Sequence, residues 1–276
     1  MQQLIEDFAA TLTAIEQGTL LVVTGAGISS ASGIPTFRGT EPGAIWKTSD
    51  VTLATFDYFR RDPVGQWQWY LKRFESVQNA EPNAAHRALV DLERWFSSRG
   101  GTLRLVTQNI DTLHERAGSA DLIKVHGTSD RLRCSRPGCV YGAPSGSLPA
   151  TEADFSSFSI DPRMENLPRC PECHSLLRAH VLFFDEYYLE HVDYRFAEVE
   201  TLAQQGNAIL FVGTSFSVGV TDLFLQAGSS RGIPMFSIDP ATDRAVPSGL
   251  ESIPAPAEEI LPALYGILSA ADQTHR

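Results

Sequence analysis

The sequence predicts an α/β fold with an inserted metal-binding segment, and three observations carry that expectation. Six aliphatic runs recur along the chain: TLLVVTG from Thr19, TLRLVTQ from Thr102, DLIKVHG from Asp121, HVLFFDE from His180, NAILFVGTS from Asn207 and IPMFSID from Ile233. Near-continuous runs of this length are what strands buried on both faces look like. The segments between them are long enough for crossover helices, which parallel strands require. The third observation is that all four cysteines fall in two close pairs, CSRPGC (Cys134, Cys139) and CPEC (Cys170, Cys173).

Length and composition bound what such a fold can be. The chain has 276 residues, 43% of them hydrophobic and 20% charged, enough for one large domain or two unequal ones. No apolar run reaches the roughly 20 residues of a membrane-crossing helix. The beginning MQQLIEDF is acidic where a secretory leader would be basic and then apolar, so the expected location is the cytoplasm. A formal charge of -11 argues against direct nucleic-acid binding and favours attraction of basic peptides.

In a reducing compartment the cysteine pairs read as ligands of one zinc ion, not as disulfides. His174 is the one nearby substitute ligand. Four thiolates leave no open coordination position, so the metal is expected to be structural. The stretch from Tyr141 to Asn166 between the pairs, rich in Ser, Pro and Ala, reads as a loop-rich insertion tied down by the ion. A second insertion is expected from about Glu41 to Ala80, where TFDYFRRDPVGQWQWYLKRF sets aromatics at helical spacing; these are read as core.

The run LLVVTGAGISSASGIPTFRG turns from a strand into glycines and small polar residues, as a nucleotide-binding turn does. Its spacing is not GxGxxG, since the third glycine is Gly33. No acidic residue ends a second strand about 20 residues on, so hydride transfer is disfavoured. Alone, this turn fits a plain strand-to-helix link equally well.

GAGISSASGIPTFRG, PNAAHRALVDLE, TQNIDTLHERAG, KVHGTSDRLRC, CPEC and VGTSFSV occur in the order seen in sirtuins, and the chain resembles that family over nearly its whole length. The resemblance implies an NAD-dependent protein deacylase, and a deacetylase first of all. It implies a Rossmann-like parallel sheet from residues 1–40, 81–130 and 178–276. A smaller lobe would combine a helical module, 41–80, and a zinc module, 131–177. By resemblance, Gly25, Ala26, Gly27 and Ser29 face the nucleotide, Arg38 lies near phosphate or ribose, and Phe37 screens the ribose. Gln108, Asn109, Ile110 and Asp111 hold the ribose and the nicotinamide carboxamide. Gly213, Thr214 and Ser215 close on the cofactor from the other side, with Asp239 and Ala257 as further contacts.

In the same resemblance His126 is the general base, acting with Asn109 and Asp111. An imidazole of ordinary pKa, about 6.5, suits proton transfer from a ribose hydroxyl. An acyl-lysine peptide would lie as an added strand between HVLFFDE and VGTSFSV, with Val181, Phe184 and Val218 around the acyl chain. One sirtuin branch receives acidic acyl groups on a Tyr-x-x-Arg pair. Laid along VGQWQWYLKRF, that pair falls on Gln68 and Leu71, so a neutral acyl group is expected, with Lys72 and Arg73 left as alternative cations one or two residues on.

Four positions depart from the family pattern: Thr36 for an aspartate, Asp185 for a glycine, Val220 for a proline and Asp239 for an asparagine. Asp185 is expected to obstruct peptide pairing. Two other function classes stay open. One is an ADP-ribosyltransferase or NAD hydrolase using the same pocket, and the other is a non-catalytic NAD-sensing module, against which His126 argues.

Overall fold

The structure is a computed structural model that describes residues 1–36, 51–241 and 247–274. Its strands are β1 (Thr19–Thr24), β2 (Thr102–Thr107), β3 (Leu122–Lys124), β4 (Gly127–Cys134), β5 (Leu148–Pro149), β6 (Leu177–Val181), β7 (Ala208–Val212), β8 (Met235–Ile238) and β9 (Glu251–Ile253). The α-helices are α1 (Gln2–Ala14), α2 (Phe56–Arg61), α3 (Pro63–Asn79), α4 (Ala84–Ser97), α5 (Leu113–Ala117), α6 (Ser156–Ile160), α7 (Phe196–Ala203), α8 (Gly219–Arg231) and α9 (Ala257–Thr274).

Two sheets organise them. Six strands pair in parallel in the order β3-β2-β1-β7-β8-β9, while β5-β4-β6 forms a separate antiparallel sheet. Alternate strand residues explain the aliphatic runs. Leu20, Val22, Leu103, Leu105, Leu210 and Val212 pack toward α1, α4 and α9. Leu21, Val23, Val106, Ile209 and Phe211 pack toward α7 and α8. With both faces covered, the central positions of such a strand are mostly apolar.

HVLFFDE differs from its expected place. The strand there is β6, which ends at Val181 and belongs to the small sheet, whereas residues 182–186 are a turn. The aliphatics of this run are buried in the lobe, not in the parallel sheet, and a short apolar run looks the same in either setting.

The smaller lobe has one shared core. Trp67, Tyr70 and Phe74 of α3 pack with Leu132, Leu148, Leu177 and Phe183, and the Trp67 indole N–H donates to the Leu177 carbonyl at 2.9 Å. Asp62 caps α3 by accepting from the Gly65 N–H at 2.8 Å, and Pro63 sits where no N–H is needed. The aromatics of this stretch are core, as their spacing predicts.

Candidate active site

The chain runs β1, β2, β3 to one side and then returns to place β7 on the other side of β1, so the sheet reverses order between β1 and β7. Ligands of open α/β sheets bind at the carboxyl ends of the strands at such a point. Here the glycines meet. Gly25 N–H donates to Val212 O and Gly27 N–H to Gly213 O, both at 2.9 Å. A Cβ on Gly27 would lie 2.6 Å from Gly213 Cα, and Gly213 has φ +58. These glycines are thus required first by backbone-to-backbone approach, which opens the strand ends with no side chain in the way. Ala26 beside them is half-buried.

Hydroxyls and amides line the same edge. Thr24 Oγ1 donates to Thr107 Oγ1 at 2.8 Å, joining the ends of β1 and β2. Gln108 Nε2 bridges Thr24 O and Thr214 Oγ1, each at 3.2 Å. Asn109 Nδ2 donates to Gly25 O at 3.1 Å and to Ser29 Oγ at 3.2 Å, and Ser29 Oγ donates to Asp111 Oδ2 at 2.9 Å. Asp111 Oδ1 in turn accepts from the Leu113 N–H at 3.1 Å at the start of α5. Ser29, Asn109, Asp111 and Thr214 are all buried. Ser215 follows on a partly exposed loop, and Ile110 packs against the lobe core.

His126 stands two residues past β3, at the same edge. Its Nδ1 lies 2.9 Å from the Gln108 carbonyl, which only accepts, so Nδ1 carries the proton and Nε2 presents its lone pair. Tyr188 stacks on the imidazole, and its hydroxyl is 3.3 Å from Nε2. Burial pushes the His126 pKa down to about 4, against the upward pull of the Gln108 carbonyl. The ring is therefore neutral throughout the physiological range. Beneath the site His114 Nε2 meets Thr24 Oγ1 at 3.0 Å, and His86 closes the capping box of α4 with Asn83.

On the lobe side, Val181 is buried in the lobe core while Phe184 is 51% exposed. Val218 is the N-cap residue of α8 and is partly buried. The Phe184 N–H, expected to pair with a peptide, donates to Ala54 O at 3.0 Å. The Asp185 carboxylate accepts from the N–H groups of Phe56 and Asp57 at 2.6 and 3.0 Å, at the first turn of α2.

The Tyr-x-x-Arg placement also moves. Gln68 is exposed, whereas Tyr70 is buried against Phe183 with ring centroids 5.9 Å apart. Arg73, one turn later, lies over the Trp69 ring at 4.7 Å. Tyr70-Leu71-Lys72-Arg73 itself has the Tyr-x-x-Arg spacing, and Tyr70 shares the buried face of α3 with Trp67, Phe74 and Val77. Leu71 is only partly buried at the lobe core.

Asp239 follows β8 and its Oδ1 accepts from the Ala241 N–H at 2.8 Å; Ala257 opens α9 and is buried in the sheet's core. Phe37 and Arg38 lie outside the described residues. Thr36 is the last residue described before them.

The four cysteine sulfurs lie within 4.8 Å of one another, Cys134 to Cys173 at 3.4 Å and Cys139 to Cys170 at 3.6 Å. A tetrahedral zinc with Zn–S bonds of about 2.3 Å needs sulfurs about 3.8 Å apart, so the donor set fits that ion. The Arg136 N–H also points at Cys134 Sγ, at 3.4 Å. His174 is not part of this cluster.

A family model described as Sir2 family matches residues 25–220. An NAD-dependent protein deacylase of Thermus thermophilus is 36% identical over 226 residues, covering 82% of this chain and 80% of that protein. NAD-dependent protein deacylase 1 of Archaeoglobus fulgidus is 35% identical over 257 residues, covering 91% and 94%. Among solved structures, an ADP-ribose complex of a Sir2 homologue superposes with TM-score 0.80 at 32% identity, over 97% of this chain and 98% of that one. A Sir2 homolog bound to NAD gives TM-score 0.76 at 32% identity over 96% and 94%. The family match over residues 25–220 and relatives at 35–36% identity across most of the chain show that the chain belongs to the Sir2 family.

Proposed function

We propose that the protein is an NAD-dependent protein-lysine deacylase, with the observation of a neutral, oriented His126 beside the Asn109–Ser29–Asp111 cluster carrying the reading. When bound, NAD would supply an electrophilic ribose carbon with nicotinamide as its leaving group. The chain's own residues bind, orient and move protons. Gly25, Ala26, Gly27 and Gly213 leave room for the nucleotide, with Thr214, Ser215, Asp239 and Ala257 at its flanks. Gln108, Asn109, Ile110 and Asp111 are assigned to ribose and carboxamide, since their amide and carboxylate groups match hydroxyl and amide partners. Phe37 and Arg38 are assigned to the same nucleotide on the family pattern alone. His126 accepts a ribose hydroxyl proton at Nε2, once that hydroxyl displaces Tyr188.

Relatives named deacylase and a Sir2 complex with a deacetylated peptide and acetylated ADP-ribose support an acyl-lysine peptide as co-substrate. It would lie near Phe184 and Val218, with Val181 behind them. A second reading concerns the acyl group. The neutral preference rests on Gln68 and Leu71; Tyr70, stacked on Phe183, and Arg73, over Trp69, supply a guanidinium in the same lobe, which favours an acyl group ending in a carboxylate. No helix of the described residues is long and apolar enough to cross a membrane. A cytoplasmic site of action accords with four free thiols arranged for metal.

Nicotinamide release by the full chain, with and without acetyl- and succinyl-lysine peptides, tests the reading. Peptide-dependent release with loss of the acyl group is expected, and His126→Ala should lower it by about 10²–10⁴ while NAD still binds. Release without peptide, or ADP-ribose appearing on the peptide, would replace deacylase by hydrolase or transferase. Arg73→Met should cut succinyl turnover roughly 10-fold or more relative to acetyl, and equal losses on both peptides would refute the carboxylate reading.

A further inference from the structure

Away from the strand ends, His180 at the close of β6 faces His191 and Asp193 on the turn that follows Tyr188. His180 Nε2 is 3.0 Å and His191 Nδ1 is 3.6 Å from Asp193 Oδ2, and the three donor atoms lie within 4.8 Å of one another. Both imidazoles are buried, at 1% and 2% exposure, while Asp193 opens to solvent.

Three features distinguish this cluster from ordinary buried polar packing. His191 has the tautomer a ligand needs. Its Nε2–H donates to the Gly146 carbonyl at 3.1 Å, so Nδ1 carries the lone pair, which accepts the Asp193 N–H at 3.2 Å, a hydrogen bond that a bound ion would replace. A backbone carbonyl on the distal ring nitrogen is the usual support of a metal-bound histidine. His180 is the opposite case: Nε2 has Asp193 Oδ2 as its polar contact, at 3.0 Å, and Nδ1 has no hydrogen-bond partner. A buried imidazole left in that state costs free energy that a ligand would recover. Finally, the edges of 3.0 and 3.6 Å bracket the roughly 3.3 Å edge of a tetrahedral ion with arms of about 2.0–2.1 Å.

The charges around the cluster permit a cation. Arg133 is held by Glu186 at 2.8 Å, Arg131 Nε donates to Ser147 Oγ at 2.8 Å, and Ser147 Oγ donates to Asp193 Oδ2 at 3.3 Å. Two imidazoles and one carboxylate are the donor set of borderline divalent ions. We infer that His180, His191 and Asp193 form a second metal site, taking a divalent first-row transition ion of the zinc class, with water completing its coordination on the exposed side of Asp193. The ion ties β6 to the turn at Asp193, which already docks on residues 144–146 through Val192 N–H to Pro144 O and His191 to Gly146 O.

The test adds cobalt(II) to the full chain with zinc already on its thiolates. One further equivalent should bind, with visible d–d absorption and no sulfur charge-transfer band. Asp193→Asn and His191→Gln should each lose that equivalent at the cobalt concentration that saturates the parent, while keeping thiolate-held zinc and the parent's unfolding midpoint. No added equivalent on the parent overturns the site. So does binding that both variants retain, or a new ion whose spectrum shows sulfur ligation.

Discussion

The two halves of the candidate site are built from different materials. At the ends of β1, β2 and β7, position is fixed by backbone contacts and hydrogen bonds, most of them between neutral groups: Gly27 on Gly213, Asn109 on Gly25, Thr24 on Thr107. The smaller lobe is held by ions and thiols. Glu186 lies 2.5 Å from Arg178 and 2.8 Å from Arg133, with all three side chains buried, and four cysteines close around one point. A sheet packed on both faces can afford mostly neutral polar groups at its rim, whereas a lobe with one three-stranded sheet and few apolar layers relies on strong localised attractions. The nucleotide side should therefore tolerate changes of metal and salt that the lobe does not.

Removing the metal should separate the halves most sharply. Cys170→Ser, or chelation under reducing conditions, should unfold the lobe, because binding free energy at a tetrathiolate is folding free energy, on the order of 10 kcal/mol in small zinc peptides. Amide exchange should rise across β4 to β6 and stay slow in β1, β2 and β7. Uniform protection would show that the lobe does not need its ion.

Next in size is Glu186→Gln. Burial pushes the Glu186 carboxyl up, but the hydrogen bond and charge of Arg178, with Arg133, hold it below the usual range. Without the carboxylate two buried guanidinium groups lose their counter-charge, a loss of roughly 3–5 kcal/mol. Denaturant unfolding should read it. The sign in pH follows: the contribution is full above the ordinary glutamate pKa and disappears as pH falls through the depressed folded value.

The nucleotide side has its own pH dependence. Burial pushes His86 down to about 4 and, more weakly opposed by Gln108, His126 to about 4 as well. Unfolded, each takes up a proton near pH 6.5, so stability should fall as pH drops from 6.5 toward 4, by about 1–2 kcal/mol for each ring by pH 5. The acid limb of kcat/KM should lie near pH 4 and not near 6.5, and a limb at the ordinary value would deny His126 its buried setting. Smallest is Asp185→Gly, which removes one of the two caps on the first turn of α2, Thr55 Oγ1 still accepting from the Tyr58 N–H, and should cost about 1 kcal/mol. Unchanged stability with tighter peptide binding would restore the view of Asp185 as an obstruction.

What the sequence made legible follows the same division. The parallel strands and the cysteine pairs announce themselves through local spacing, because covering both faces of a strand forces continuous aliphatics and tetrahedral zinc forces close thiols. Contacts between distant segments leave no such trace. Asp185 meets Phe56 across 129 positions, and Tyr188 meets His126 across 62. Neither the cap nor the hydroxyl on the base has a local pattern. The Tyr70–Arg73 pair is different: the period of Trp67, Tyr70, Phe74 and Val77 already turned Gln68 outward, and the phase of the helix was the readable signal. HVLFFDE misled because burial in a small lobe and burial in a parallel sheet select the same residues.

The Trp67 to Leu177 hydrogen bond has a practical consequence for dissecting the protein. Its two partners sit 110 positions apart, yet they share one core with Phe183 and Leu132. Any fragment cut to carry the cysteine-bearing segment alone would present the exposed imprint of α3, and any fragment carrying α3 alone would present the imprint of β6. Truncation, domain grafting or split-reporter designs must keep both stretches in the same molecule, and the cut points that respect the architecture lie in the parallel sheet's outer connections.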